Sequence, residues 1–187
     1  MQKLLSCILI LSIVLLAGCT VQEKTSPPPE QSDDFTVPAS ASEETASILL
    51  KEKVIDAEGN VILDENGHIN GLAAIDGIDA FTTEEILKIV PYSDGALATS
   101  VNLTLGRRLL KDFDGTLSQI AETEISEERG GVEQLGYGLG YEIGLDLQSG
   151  VVTEEDCKII YLQHKLTARE QAVLDKIIEG FENAENN

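Results

Sequence analysis

Read from its first residue, the chain opens with Met1-Gln2-Lys3 and then runs almost without polar interruption from Leu4 to Ala17, broken only by Ser6 and Ser12. A stretch of that length falls short of the roughly 20 apolar residues that span a bilayer and suits the core of a secretory signal. From Thr20 to about Thr45 the pattern inverts. Pro, Ser, Glu, Asp and Thr dominate there, with Pro27-Pro28-Pro29 at the centre. Such a segment buries too little surface to offset the entropy of ordering, so it reads as a flexible tether.

Beyond the tether, apolar positions recur in short patterns. Residues 54–69 hold two units of period eight, Val54-Ile55-Asp56-Ala57-Glu58-Gly59-Asn60-Val61 and Ile62-Leu63-Asp64-Glu65-Asn66-Gly67-His68-Ile69. Gly59 and Asn66-Gly67 supply turn conformations, which predicts a small β-meander. Between Leu97 and Leu105, and again between Leu135 and Leu147, apolar residues occupy the odd positions with few exceptions. Period two predicts strands with one buried face. A helix competes for the second stretch, because Leu135, Leu139, Ile143 and Leu147 recur every four and Gly136, Gly140 and Gly144 would form a small-residue stripe of the kind that packs helices in membranes. Four glycines inside a helix cost about 4 kcal/mol against alanine, and Glu142 and Asp146 sit badly in lipid, so the strand is preferred.

Three capping boxes mark helix starts: Thr82 with Glu85, Thr153 with Asp156, and Thr167 with Glu170. The first helix must end before Pro91. The last is the clearest, with Val173, Leu174, Ile177, Ile178 and Phe181 on one face. The segment from Asp156 to His164 suits either a helix or a strand. Together these elements predict an α+β fold, an antiparallel sheet with one apolar face covered by two or three helices. The expected organisation is a signal over residues 1–18, a flexible acidic Pro/Ser-rich tether over 19–45, and a single acidic domain over 46–187.

The junction Leu16-Ala17-Gly18-Cys19 closes the apolar run and resembles the lipobox of bacterial lipoproteins. The resemblance implies diacylglyceryl modification of the Cys19 thiol and cleavage just before it. An ordinary cleaved signal with a chance cysteine is the alternative. Acyl chains on one residue then hold the mature chain to a membrane, since each buried methylene adds about 0.8 kcal/mol. The expected location is a cell membrane or outer membrane, facing outside the cytoplasm. Thr20, rather than aspartate, after the cysteine favours the outer membrane if the host has two.

Charge narrows the partners. Lys3 is the only charged side chain among the first eighteen residues, so the mature part sets 12 basic against 33 acidic side chains, a formal charge of −21. Such a surface repels phosphate backbones, and nucleic acid is not an expected partner. Cations, basic peptides and an envelope protein remain. Cys7 leaves with the signal and Cys19 is the acylation site, which leaves Cys157 alone and rules out an internal disulfide framework in the mature chain.

Several fragments resemble parts of chemical sites. Lys111-Asp112-Phe113-Asp114-Gly115-Thr116-Leu117 resembles the first motif of haloacid dehalogenase-like phosphatases, which implies Asp112 as nucleophile and Asp114 as acid/base, both helping to hold magnesium. That family needs a buried strand before the motif and a later lysine and acidic Gly-Asp pair; no such acidic pair follows. Leu166-Thr167-Ala168-Arg169-Glu170 with Val173-Leu174, Ile177 and Glu179-Gly180 resembles the opening of the LuxR-type helix-turn-helix, yet the chain ends before a recognition helix. The segments 66–70, 114–118 and 149–153 resemble the middle of an EF-hand loop. Where the flanking calcium ligands belong they carry Ile62, Leu110 and Leu145 on one side and Ala73, Ala121 and Asp156 on the other. Ordinary turns explain them. His68 and His164 read as surface residues, and no paired His or Cys spacing marks a metal site.

The expected function is therefore a membrane-anchored, non-enzymatic protein-interaction or envelope-assembly component with no cofactor. Two alternatives stand beside it: an envelope hydrolase acting through Asp112 and Asp114, and a binding module for cations or basic peptides.

Overall fold

The computed structural model describes residues 43–127 and 130–186; the lipobox and nearly all of the expected tether lie outside them. The described residues form eight α-helices and no sheet. They are α1 (Glu43–Lys51), α2 (Gly71–Asp76), α3 (Thr83–Ile89), α4 (Gly95–Lys111), α5 (Phe113–Glu122), α6 (Gly131–Gln148), α7 (Glu154–Cys157) and α8 (Ala168–Glu185). The expected α+β class is overturned. The domain is all-α.

Both stretches expected as strands are long helices, and the reason is visible in which odd positions are buried. In α4 the buried side chains are Leu97, Val101, Leu105 and Leu109, spaced by four, whereas Thr99 is exposed and Leu103 only half-buried. In α6 the buried ones are Leu135, Leu139 and Ile143, while Tyr137 and Tyr141 lie on a flank and Leu145 is exposed. A run of alternating apolar residues contains a period-four stripe, so over a long segment alternation alone does not separate strand from helix. Length does: thirteen alternating residues exceed the usual strand of about 5–6.

The glycines of α6 complete the correction. They lower helix propensity by about 1 kcal/mol each, but Gly136, Gly138, Gly140 and Gly144, the four inside the helix, lie where a neighbour crowds the space of a side chain. A Cβ on Gly140 would stand 1.9 Å from the Ile177 carbonyl oxygen, and one on Gly144 would stand 2.5 Å from the Ala184 Cβ. A Cβ on Gly136 would come within 3.0 Å of the Val173 carbonyl. The notch is reciprocal, since a Cβ on Gly180 of α8 would lie 2.1 Å from the Tyr137 carbonyl. Gly138 opens toward the other neighbour, against Asn102 of α4. Close approach of whole helices thus offsets the local propensity, as in membrane proteins, but here within a domain whose α6 carries carboxylates. Helix α6 lies between α4 and α8, and α5 packs on both α4 and α8. Phe113, Leu117 and Ile120 from α5 join Leu105, Leu139 and Ile177 in one core.

The expected meander over 54–69 is two tight turns, each closed by a single antiparallel bridge, Ile55 with Val61 and Leu63 with Ile69. Gly59 and Gly67 hold φ near +80°, the conformation their turns require. Each turn is locked by an aspartate: Asp56 accepts from the Asn60 N–H at 2.7 Å, and Asp64 accepts from the N–H groups of Asn66 and His68 at 2.8 Å. With side-chain bonds doing this job, no sheet need form.

All three capping boxes are present, with Thr82, Thr153 and Thr167 each accepting from the N3 backbone while Glu85, Asp156 and Glu170 accept from the cap residue. Helix α3 stops at Ile89, and Val90–Tyr92 form one 3₁₀ turn around Pro91. The ambiguous segment after Asp156 is neither full helix nor strand: α7 passes into a 3₁₀ turn over Lys158–Tyr161. On α8, Val173, Leu174, Ile177 and Phe181 are buried as expected, with Ile178 at the edge of the core.

Candidate functional site

The acidic pair of the phosphatase-like fragment sits between two helices rather than at the end of a strand. Asp112 separates α4 from α5 and caps the latter, its carboxylate accepting from the Gly115 N–H at 3.3 Å. The expected Asp-Gly turn is therefore the first turn of a helix. Asp114 is exposed one residue into α5 and faces His164, whose Nδ1 lies 3.3 Å from its Oδ1. The imidazole is largely buried, stacks on the Phe113 ring at a centroid distance of 4.1 Å, and meets the Ile159 carbonyl through Nε2 at 2.8 Å. His164 is thus no ordinary surface residue. It pins the segment between α7 and α8 onto the start of α5. Asp112 and Asp114 are engaged in capping and pairing, and among the described ion pairs none joins a lysine to either.

His68 is exposed beside Asp64 at 3.8 Å. The EF-hand-like fragments are accounted for locally: Asn70 caps α2 by accepting from the Ala73 N–H at 3.1 Å, Asp114 pairs with His164, and Ser149 bonds back to the Asp146 carbonyl at 3.1 Å. Among the described residues no group of three His, Cys, Asp or Glu is arranged to hold a metal ion. The Cys157 thiol is buried, and burial together with the nearby Asp156 and Glu185 pushes its pKa up, the reverse of an activated nucleophile. Thr167, Arg169 and Glu170, the residues of the helix-turn-helix resemblance, serve structure as well. Thr167 and Glu170 form the α8 cap, and Arg169 donates to the Thr123 carbonyl at 3.0 Å.

Among the described residues the most buried charge is Asp146, on the α6 face toward α4. Arg107 grips it with two hydrogen bonds, Nε to Oδ2 at 2.7 Å and a terminal nitrogen to Oδ1 at 3.1 Å. The fork geometry matches a carboxylate, and the bond raises the Arg107 pKa. Glu142, one turn earlier, has its carboxyl raised by burial and by the neighbouring Asp146 charge. Arg108 points the other way and donates to the Phe81 carbonyl at 2.6 Å, tying α4 to the turn before α3. These arginines fasten helices.

The structure does present an open groove of about 700 Å³ where the second turn, α2, the Pro91 turn and the start of α4 meet. Ile69, Leu72, Ile75, Tyr92 and Leu97 give it apolar walls, and Asp94 contributes a carboxylate. The period-eight repeat marks the turn that forms one wall, but nothing in the sequence pattern distinguishes Leu72 from a core leucine. Among the described residues no helix is long and apolar enough to cross a membrane. Comparison with protein-family models, with curated proteins and with solved structures finds no match for the chain.

Proposed function

We propose that the chain is a lipoprotein anchored to a cell membrane or outer membrane through Cys19, and that its acidic helical domain is a non-enzymatic protein-interaction or assembly component facing outside the cytoplasm. The observation that carries the reading is Leu16-Ala17-Gly18-Cys19 at the end of a fourteen-residue apolar run, Leu4 to Ala17, that begins behind a single lysine. The domain's own residues support the second half of the proposal. Asp112 and Asp114, which the phosphatase resemblance implies for catalysis, instead cap α5 and pair with His164, so their chemistry is spent on structure.

The anchoring is tested by metabolic labelling with a fatty-acid analogue and by mass spectrometry of the mature amino terminus. Wild type takes up label and begins at an acylated Cys19, whereas Cys19→Ser takes up none and leaves the membrane fraction. Unlabelled wild type in the soluble fraction overturns the anchoring. The interaction role is tested by cross-linking in intact cells, with recovery of a defined protein adduct expected. Turnover of a substrate by the purified chain, without any adduct in cells, overturns it.

A further inference from the structure

Exposed apolar side chains are common singly on protein surfaces, but a concave group of them is a recognition feature. In the groove described above, Leu72 is 77% exposed and Tyr92 is 36% exposed, the former higher than any other large apolar side chain in the described part. Leu63, also exposed, extends the same surface, because it is bridged to Ile69 in the groove wall. Leu72 projects from the first turn of α2, whose buried residues are instead Ala73 and Ala74. The core is satisfied without it.

The charged member of the groove is unusual. Asp94 occupies the N-cap position of the 17-residue helix α4, where an aspartate ordinarily accepts a hydrogen bond from the N2 or N3 backbone. Its side chain makes no such bond. The caps of α2, α3, α5, α7 and α8 do make it. Asp94 thus faces the groove as an uncommitted carboxylate, and no lysine or arginine lines that groove. His68, which also lines the groove, lies beside Asp64 at 3.8 Å.

We infer that this groove docks a basic amphipathic segment of a partner protein, with apolar side chains against Leu72 and Tyr92 and a lysine or arginine paired with Asp94. The inference rests on the protein-interaction reading above and names its partner's chemistry. Charge selects the occupant. A second copy of a chain with net charge −20 is repelled, as is an anionic lipid surface, whereas a cationic segment is steered in and gains a desolvated pair at the apolar wall. Helix-in-groove recognition of this kind reads apolar anchors spaced three or four residues apart.

The test uses the full chain in its native membrane, with a photo-cross-linking amino acid placed at position 72 or, for comparison, at the exposed Tyr161. The expected result is a protein adduct from position 72 whose cross-linked peptide carries lysine or arginine, reduced at least fivefold by Asp94→Asn and absent from position 161. Protein adducts from position 161 but not from 72 overturn the site while leaving the interaction role intact. Adducts at neither position overturn the site, and the interaction role falls with it only if cross-linking of intact cells also recovers no protein adduct. An adduct at 72 with lipid or with a second copy of the chain also overturns the proposal. In solution, a synthetic amphipathic leucine/lysine peptide gives a second readout. Leu72→Asp and Asp94→Asn each weaken its binding about tenfold while Glu182→Gln does not; equal weakening by all three overturns the site in favour of unspecific attraction.

Discussion

Helices α6 and α8 meet backbone to backbone, while α2 and the turns before it leave Leu63 and Leu72 in solvent. The contrast is one of tolerance. In the first region shape is fixed by atoms that cannot move without moving a whole helix, since the Ile177 and Tyr137 carbonyls occupy the space where Gly140 and Gly180 lack a Cβ. In the second, shape is held by short-range side-chain bonds from Asp56, Asp64 and Asn70, each within its own turn or helix start. A site meant to accept different side chains belongs on the second kind of surface, and rigidity of the core belongs to the first.

The largest effect follows from filling the notch. Gly140→Ala puts a methyl group 1.9 Å from a backbone oxygen, and the two helices must separate to admit it. Alanine improves helix propensity by about 1 kcal/mol, yet overpacking of this kind costs about 3 kcal/mol, so a net loss of about 2 kcal/mol is expected in chemical denaturation. Unchanged or increased stability would show that the helices do not approach as closely as described. Gly71→Ala is the counterpart in the looser region. No atom lies within 4 Å of its Cβ position and its φ is not positive, so the same substitution is expected to add about 0.5 kcal/mol.

Between these lies Asp146→Asn, which removes the charge that Arg107 grips. The Asp146 side chain is 9% exposed but that of Arg107 is 41% exposed, so the pair is partly screened by water. A loss of about 1–2 kcal/mol is expected, less than the 3–5 kcal/mol of a fully buried pair broken on one side. The double variant Arg107→Met with Asp146→Leu should recover part of it.

The contrast also explains what was legible in the sequence. Everything decided within four residues could be read: Thr82, Thr153 and Thr167 with their carboxylate partners, the stop before Pro91, the turns at Gly59 and Gly67, and the apolar face of α8. What could not be read was decided between segments distant in the chain. The glycines of α6 lower its local propensity and become favourable only when α8 supplies Gly180 and its own carbonyls at the right height. Leu97, Val101 and Leu105 fit a strand or a helix until α6 arrives to select the period-four stripe. The same holds for the site. Leu72 looks like a core residue by type, and only the packing of α2 on Ala73 and Ala74 turns it outward. His164 was legible as a histidine, but its seat on Phe113 depends on α5 meeting the segment before α8.

The smallest effects come from two carboxylates, Glu142 in the close-packed region and Glu85 on α3 outside it, that titrate in opposite senses. Burial alone would raise the Glu85 carboxyl, but hydrogen bonds from Lys51 and from the Thr82 backbone outweigh it and hold the pKa below its ordinary value. Folding therefore favours the ionised form. Its stabilisation is complete above the ordinary carboxylate range and is lost as pH falls through the folded pKa. Glu142 is the reverse, since burial and the Asp146 charge raise its pKa and the folded state holds the proton longer than the unfolded chain does. Its ionisation costs stability as pH rises through the window above the ordinary value, and the cost persists at neutral pH. Glu85→Gln is thus expected to lower stability at pH 7 by about 0.5 kcal/mol, the scale of a partly exposed ion pair. Glu142→Gln should raise it by a few tenths of a kcal/mol. Denaturation midpoints of both variants at pH 4 and pH 7 check the signs. The Glu85 variant should approach wild type at the lower pH, and so should the Glu142 variant, from the opposite side. If Glu142→Gln is instead destabilising at pH 7, the carboxylate is held by a partner on α4 or α6 and the close-packed region carries no misplaced charge.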